Sequence, residues 1–204
     1  MTKCLKIFAL LVFLQTWADA GRAAEPAGEV LAISGACSIE SGGQRQALKR
    51  GDAVHQGDSV EVAVAAKLKL RMADGSVLSL AGGSHLTVAA YTAAEGRRDA
   101  RLDLSSGLLH AVVATMAAPS RFEVDTATAV AAVRSTDWFI EAKPELSRVG
   151  VVEGVVALAS KVTGASVDIP KGFGARVEKG KDPIPPRTWT AAEFEEYRQL
   201  TTLP

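Results

Sequence analysis

Hydrophobic and polar positions alternate along most of the chain, in short runs separated by turns that contain glycine. The clearest run is Lys67–Leu80, where apolar side chains alternate with lysine and arginine. This period of two predicts strands with one buried face. A three-residue loop centred on Asp74, with Gly75 left-handed, would pair Leu70 with Leu78 and keep that face continuous. A two-residue turn at Asp74 and Gly75 would mix the two faces.

The same pattern predicts further strands between Gly28 and about Arg176. We expect them at Leu86–Ala90, Ala100–Leu104, Leu108–Thr115, Arg121–Val124, Ala129–Glu141, Arg148–Glu153, Val155–Ser160, Ser166–Ile169 and Gly174–Glu178, with a turn at Ser106-Gly107 among others. Strands of this length and spacing predict a single all-β domain, as a β-sandwich or jelly roll or as a β-solenoid.

The C-terminal residues 181–204 predict a proline-rich linker and a short α-helix. Thr190 and Glu193 have the spacing of a capping box, and Trp189 and Phe194 that of a hydrophobic staple. A helix of about ten residues is marginal in isolation. We therefore expect it to fold back onto the β-domain, with docking on a partner protein as the alternative.

The first 24 residues predict a signal peptide. Lys3 and Lys6 precede an apolar run, Ile7–Trp17, which is short for a membrane span of about 20 residues. We expect cleavage after Ala20 or Ala24 and a periplasmic or secreted protein with no stable membrane span; an uncleaved anchor is the alternative. The β-domain then covers residues 25–180.

Charge and cysteine content narrow the classes of partner. The chain has 23 basic and 23 acidic residues, and residues 1–24 contain three basic and one acidic, so the remainder is slightly acidic. No basic patch is evident, which argues against nucleic acid as a binding partner.

Cys37 is the one cysteine after residue 24, so an internal disulfide is impossible. We expect Cys37 to be a buried thiol, with lipid attachment as the alternative.

The motifs of common enzymes and metal sites are missing. His55, His85 and His110 are far apart in sequence and fall on different predicted strands. There is no nucleophile elbow, phosphate loop or zinc-protease motif. We therefore predict a non-enzymatic protein without a cofactor or a metal.

Two glycine-aspartate pairs, Gly51-Asp52 and Gly57-Asp58, lie six residues apart, each followed two residues later by valine. The pattern is typical of two consecutive tight turns. A calcium site from the two aspartates is the alternative, but calcium takes about 6–8 oxygen ligands and further ligands are not evident.

From about Gly28 to Lys179 the order of motifs resembles the FecR domain family. The matching segments are GEVLAISGACSIESGGQRQALKRGDAVHQGDSVEV, LKLRMADGSVLSLAGGSHLTV, LDLSSGLLHAVV, FEVDTATAVAAVRSTDWFIE, VGVVEGVVALAS and VDIPKGFGARVEKG. The resemblance implies structural roles for both glycine-aspartate pairs, for Asp74 and Gly75, and for Glu153 and Gly154. The chain departs from the family pattern at Ala127, where the family has proline, and at Ser135, where it has glycine.

The best-known FecR proteins are membrane-spanning regulators. Their cytoplasmic part holds a sigma factor, and their periplasmic part receives a signal from an outer-membrane transporter. Six residues before the apolar run leave no room for a cytoplasmic arm, so we expect a stand-alone exported domain. We predict an interaction module that binds an envelope protein through strand edges or loops, since exposed β-edges accept partner strands by backbone hydrogen bonding. Binding of a glycan, peptidoglycan or exopolysaccharide, is the alternative.

Arg134 interrupts an apolar run in the segment AVRSTDWF. On a regular strand it would share one face with Thr136 and Trp138. A buried guanidinium needs acceptors, because an unpaired buried charge is costly. We expect Arg134 to be a structural pin that bonds a nearby carboxylate, with Asp125, Asp137 and Glu153 as candidates. The alternative is a site for a carboxylate or a sugar, made by Arg134, Thr136 and Trp138.

Overall fold

The computed structural model describes residues 25–94, 96–115 and 117–203, and these residues form an all-β domain followed by one helix. The strands are β1 (Gly28–Ser34), β2 (Cys37–Ser41), β3 (Gln44–Ala47), β4 (Ala53–Val54), β5 (Ser59–Val62), β6 (Lys67–Met72), β7 (Val77–Leu80), β8 (His85–Ala94), β9 (Arg97–Val112), β10 (Arg121–Asp125), β11 (Ala129–Val133), β12 (Asp137–Lys143), β13 (Leu146–Glu153), β14 (Val155–Ser160), β15 (Ser166–Pro170), β16 (Phe173–Glu178) and β17 (Arg187–Thr188). The helix is α1 (Ala191–Thr201). The predicted signal peptide lies outside the described residues.

The strands form two sheets that share β9. Sheet A has the order β4-β1-β6-β7-β9-β12-β13-β16-β17, and sheet B has the order β3-β2-β5-β8-β9-β10-β11-β14-β15. Among the described strands every pairing is antiparallel except β9 with β10. The inner faces of both sheets contribute to one hydrophobic core. This arrangement is a two-layer sandwich and not a solenoid of parallel coils.

The predicted register of the β6–β7 hairpin is confirmed. Leu70 pairs with Leu78 and Leu68 with Leu80, and all four side chains are fully buried. Gly75 has a φ of 86°, the left-handed conformation that the three-residue loop requires. The requirement for one continuous apolar face therefore predicted the three-residue loop correctly.

Strand β9 is a single strand of 16 residues, where the sequence predicted two strands and a turn at Ser106-Gly107. Gly107 has a φ of 97°, and a Cβ there would lie 2.3 Å from the Cα of Ser84. The strand therefore bends at Gly107 without leaving the sheet. It pairs with β8 and β10 in sheet B before the bend and with β7 and β12 in sheet A after it.

The predicted strand Ala129–Glu141 is broken by a bend at residues 134–136, where the chain crosses from sheet B to sheet A. Trp138 and Ile140 of β12 enter the main core, as predicted. Phe139 between them is also fully buried, because it points to the outer face of sheet A beneath α1. A strand covered on both faces reads as a continuous apolar run.

Helix α1 begins with the predicted capping box. The Thr190 hydroxyl accepts from the backbone N–H of Glu193, and the Glu193 carboxylate accepts from the N–H of Thr190 at 2.9 Å. The staple is also present, since the Trp189 and Phe194 rings lie 5.2 Å apart. The helix packs on the β-domain, and the linker before it supplies β17 at the edge of sheet A.

Candidate functional site

The buried arginine of this fold is Arg98 in β9, and its side chain and that of Asp74 are both fully buried. The two groups form an ion pair. The Arg98 guanidinium also donates to the carbonyl oxygens of Ala114 at 3.2 Å and Arg134 at 3.1 Å. Its carbon lies 5.1 Å from the centre of the Phe122 ring. Arg98 therefore ties the β6–β7 loop to the chain on either side of β10 and β11.

Asp74 is held ionised inside the domain. Burial raises the pKa of its carboxyl group, but hydrogen bonds from Arg98 and from the backbone and hydroxyl of Ser76 lower the pKa below its usual value. The backbone N–H of Asp74 donates to the Tyr91 hydroxyl at 2.9 Å. A buried charge pair persists when its remaining hydrogen-bonding groups are satisfied in this way.

Arg134 is not the predicted buried pin. It lies in the bend between β11 and β12 with an exposed side chain, and its contribution to the interior is the carbonyl oxygen that Arg98 binds. The three carboxylates expected to pair with it have other partners: Asp125 with Lys161, Asp137 with His110, and Glu153 with Lys171. The prediction failed because the bend changes the phase of the alternation: inward positions are odd-numbered in β11 and even-numbered in β12.

The other two predicted binding residues are buried. Trp138 has no exposed surface, and its indole nitrogen has no hydrogen-bond partner among the described residues. The Thr136 hydroxyl donates to the carbonyl of Val155 at 3.3 Å. Gly154 packs against this bend, since a Cβ there would lie 2.7 Å from the carbonyl oxygen of Ser135. Trp138 is therefore not available to a ligand, and Thr136 and Gly154 fix the bend.

Arg134 does border a surface cavity of about 440 Å³, here called the Arg134 pocket. One end is formed by the bend and by the start of β10. The floor crosses sheet B through Ala132, Val155 and Ala157, and Asp168 lies at the far end. The pocket therefore combines an apolar floor with two arginines, Arg121 and Arg134, and one carboxylate, Asp168.

A second, larger cavity is a groove of about 670 Å³ between α1 and the outer face of sheet A, here called the helix groove. Ala81, Leu108, Trp189 and Tyr197 are apolar residues on its floor and walls. Val64, in the β5–β6 loop, is 90% exposed at its rim. Leu200 of α1, on the same rim, is 48% exposed.

Trp189 attaches α1 to the sheet through two glycines that face each other across β13 and β16. Gly150 and Gly174 are register partners. A Cβ on Gly150 would lie 2.3 Å from the indole ring, and a Cβ on Gly174 would lie 1.9 Å from it. The ring therefore lies flat against the backbone of both strands. Glycine inside a strand often marks such a close approach.

Two polar contacts hold the rest of the helix. The Lys67 ammonium donates to the carbonyls of Gln199 and Thr202, at 2.6 and 2.7 Å, where the helix dipole favours a positive charge. The Tyr197 hydroxyl donates to Glu141 at 2.9 Å and accepts from Arg148 at 3.2 Å. Burial raises the pKa of Tyr197 to about 12, so the phenol stays protonated.

The glycine-aspartate pairs form the two predicted turns with one geometry. The Asp52 carboxylate accepts from the backbone N–H of Lys49, and that of Asp58 from the N–H of His55, both at 2.7 Å. Each carboxylate thus closes its own turn. In the described parts of the chain no group of three or more histidine, cysteine, aspartate or glutamate side chains is placed to hold a metal.

Sequence reasoning missed Arg98 and the residues of the helix groove. A signal for Arg98 existed, because the alternation of Ala100, Leu102 and Leu104 extends back to an inward position at 98. The glycines in the runs around 150 and 174 were a weaker signal for Trp189. The exposure of Val64 and Leu200 left no mark in the sequence, since it depends on where the loop and the helix come to rest.

None of the described helices is long and apolar enough to cross a membrane.

Among curated proteins no sequence matches this chain. Two crystal structures of a proposed anti-sigma factor from Parabacteroides distasonis, at 1.65 and 2.50 Å resolution, are similar in fold, with TM-scores of 0.58 and 0.57. The sequence identity is 17% in both comparisons, and the similarity covers 69% of this chain and 64% of that protein.

A family model described as FecR protein matches residues 58–157. The matched segment runs from the second glycine-aspartate turn, through Asp74, Arg98 and the Arg134 bend, to Gly154 and β14. It therefore contains the hairpin, the buried ion pair and the crossing between the sheets, on which the fold depends. The order of motifs predicted this result, and the central part of the chain matches the FecR family.

Proposed function

We propose that this protein is an exported, non-enzymatic interaction module of the cell envelope, and that a partner protein binds it at the helix groove. The observation that carries the proposal is the pair of exposed apolar side chains, Val64 and Leu200, at the rim of a cavity with an apolar floor. Exposed apolar surface beside a concave site is typical of protein contacts. The FecR domain and the anti-sigma-factor-like fold support a role in signalling.

The charges of the groove indicate which side chains a partner would present. Glu141 is paired with Lys143 and Arg148, and Glu193 with Arg187. Glu196 also lines the groove and forms no ion pair within the described residues. A partner segment with an apolar side chain beside a basic one therefore fits this surface.

Export is proposed from the N-terminal sequence pattern. Lys3 and Lys6, the apolar run and the small residues near Ala20 and Ala24 support secretion to the periplasm or beyond. Cell fractionation combined with N-terminal sequencing of the purified protein tests this step. Recovery in the cytoplasm with residue 1 intact would contradict it.

The test of the interaction uses the purified protein as bait in envelope extract, followed by a binding assay with the captured partner. Val64→Asp and Leu200→Asp place a charge at the groove and should each abolish capture. Val162→Asp is the matched control, because Val162 is 68% exposed in the loop after β14, away from the groove. Equal loss with all three variants, or no loss with the first two, would refute binding at this groove.

Deletion of the tail from Pro183 is a less specific test. It removes one wall of the groove and at the same time uncovers Phe139 and Leu108, which are buried beneath α1. Loss of binding would then have two explanations. The point variants leave the helix and its contacts with Trp189 in place, so they report on the groove alone.

The glycan alternative has no observation in its favour. Sugar sites rely on exposed aromatic rings, and the candidates Trp138, Trp189, Tyr91 and Tyr197 are all at most 8% exposed. Retention of the purified protein on peptidoglycan, without any protein partner, would nevertheless make it the better proposal.

A further inference from the structure

The Arg134 pocket offers a cation, an apolar floor and a rigid frame on the outer face of sheet B. We propose that it binds the C-terminal carboxylate of a peptide chain whose last side chains are small and apolar. The carboxylate would bind the Arg134 guanidinium, and the apolar side chains would lie on Val155 and Ala157. This inference is independent of the helix groove, because the two sites share no lining residue.

The charge of Arg134 is available to a ligand. Its side chain is exposed and forms no hydrogen bond or ion pair within the described residues. Arg121, which also lines the pocket, is by contrast paired with Glu123 at 2.6 Å. A guanidinium binds a carboxylate with two parallel hydrogen bonds, which gives both strength and direction.

The bend that carries Arg134 is held in place before any ligand arrives. Its carbonyl oxygen accepts from the buried Arg98 at 3.1 Å. The hydroxyls of Ser135 and Thr115 are hydrogen-bonded at 2.7 Å, and the carbonyl of Thr136 accepts from the N–H of Val113 at 2.9 Å. A fixed backbone reduces the entropy lost on binding.

The floor and the far end of the pocket determine how a peptide would lie. Ala132, Ala157 and Asp168 are register partners on neighbouring strands, so the floor crosses β11, β14 and β15 in one row. Val155, two residues from Ala157, is 51% exposed. Two strand spacings, about 10 Å, separate β11 from β15. The Asp168 carboxylate would repel a second carboxylate, so the chain end belongs at Arg134 and backbone N–H groups belong near Asp168.

The size of the pocket favours a chain end over a passing segment. Its 440 Å³ is at the lower end of the range for ligand sites, roughly 300–1,000 Å³. That volume accommodates a few small residues. A chain end needs only to enter it, whereas an internal acidic residue would bring chain on both sides.

The test is a titration of the isotope-labelled protein with the peptide acetyl-Ala-Ala-Val, followed by NMR. The free acid should shift the amide signals of the bend and of Val155 and Ala157. Its C-terminal amide and an amidated peptide with an internal aspartate should each bind at least about tenfold more weakly. Arg134→Gln should weaken binding of the free acid by a similar factor, whereas Arg50→Gln, a change at another exposed arginine, should leave it unchanged.

The same spectra show whether Arg134→Gln is folded, which is expected because the side chain is exposed. If that variant were unfolded, Arg134→Lys would replace it and should weaken binding, since lysine cannot form the bidentate contact. Equal binding of the free acid and the amide would overturn the proposal. Equal effects of the two arginine substitutions, tighter binding of the internal aspartate peptide, or no shifts at about 10 mM peptide would do the same.

Discussion

Adding a methyl group to Gly174 tests how α1 is attached to the domain. In Gly174→Ala the new Cβ would lie 1.9 Å from Nε1 of Trp189 and 2.2 Å from its Cε2. Carbon atoms in contact lie about 3.5–4.0 Å apart, so the ring has to retreat by about 1.5 Å. The backbone itself accepts alanine, because Gly174 is a strand residue and is not among the glycines with positive φ.

The magnitude follows from two opposing quantities. Overpacking of this kind costs about 1–3 kcal/mol. Burial of a tryptophan ring removes about 200 Å² from water and stabilises docking by about 5 kcal/mol. The single substitution should therefore destabilise the protein while α1 stays docked. Gly150→Ala combined with Gly174→Ala would double the cost, bring it near the docking energy and release the helix.

The assay combines thermal unfolding with limited trypsin digestion. For a domain of this size about 2 kcal/mol corresponds to a decrease in Tm of roughly 4–8 °C. Released α1 should be cleaved rapidly at Arg187 and Arg198, since an isolated helix of this length is marginal. The single substitution should show the lower Tm with little change in cleavage.

A double-mutant cycle with Trp189→Ala identifies the cause. Once the ring is removed, Gly174→Ala should be neutral or should stabilise the protein by up to about 1 kcal/mol through the unfolded chain. If Gly174→Ala remained equally destabilising without the ring, the clash with Trp189 would not be the cause and the reasoning would be refuted.

Three further predictions concern single charged groups. Arg98→Met should lower the free energy of unfolding, measured by urea denaturation, by about 3–5 kcal/mol, because it leaves Asp74 buried and unpaired. Arg134→Ala should change that free energy by no more than about 0.5 kcal/mol. Equal effects of the two substitutions would contradict the assignment of Arg98 as the buried structural arginine. The lowered pKa of Asp74 means that its ionisation stabilises the fold above about pH 4, and this contribution should disappear as the pH falls through the native pKa. Between pH 2 and 6 the free energy of unfolding should therefore depend less on pH in Asp74→Asn than in the wild-type protein. The same pH dependence in both proteins would argue against a stabilising role of ionised Asp74. Lys67→Met should lower the free energy of unfolding by about 1 kcal/mol and should speed hydrogen exchange at the end of α1, whose carbonyls Lys67 binds. Lys69→Met, on the same strand, should have neither effect. Identical exchange rates in the two variants would contradict the role of Lys67 at the end of the helix.

Local sequence rules were reliable where one face of a strand had to be buried. The β6–β7 register was predicted correctly because a one-residue slip would have exposed every leucine of the hairpin. The capping box at Thr190 and the staple at Trp189 were predicted for a similar reason, since each depends on residues at most five positions apart.

Predictions failed where the chain passes between sheets. The bend at residues 134–136 shifts the phase of the alternation, so Arg134 was assigned to the wrong face and to the wrong carboxylates. At Gly107 the opposite error occurred, because a bend inside β9 was taken for a turn between strands. Both errors arise because a crossing looks like a local irregularity in the sequence.

Alternation and short motifs were enough to predict most of the strands, the tight turns, the capped helix and the FecR resemblance. The folded structure was needed to show that Arg98 is the buried cation, that Trp189 lies on Gly150 and Gly174, and that Val64 and Leu200 share one groove. These contacts join residues from 15 to 136 positions apart. Their partners are selected by the pairing of whole strands, which no local pattern specifies.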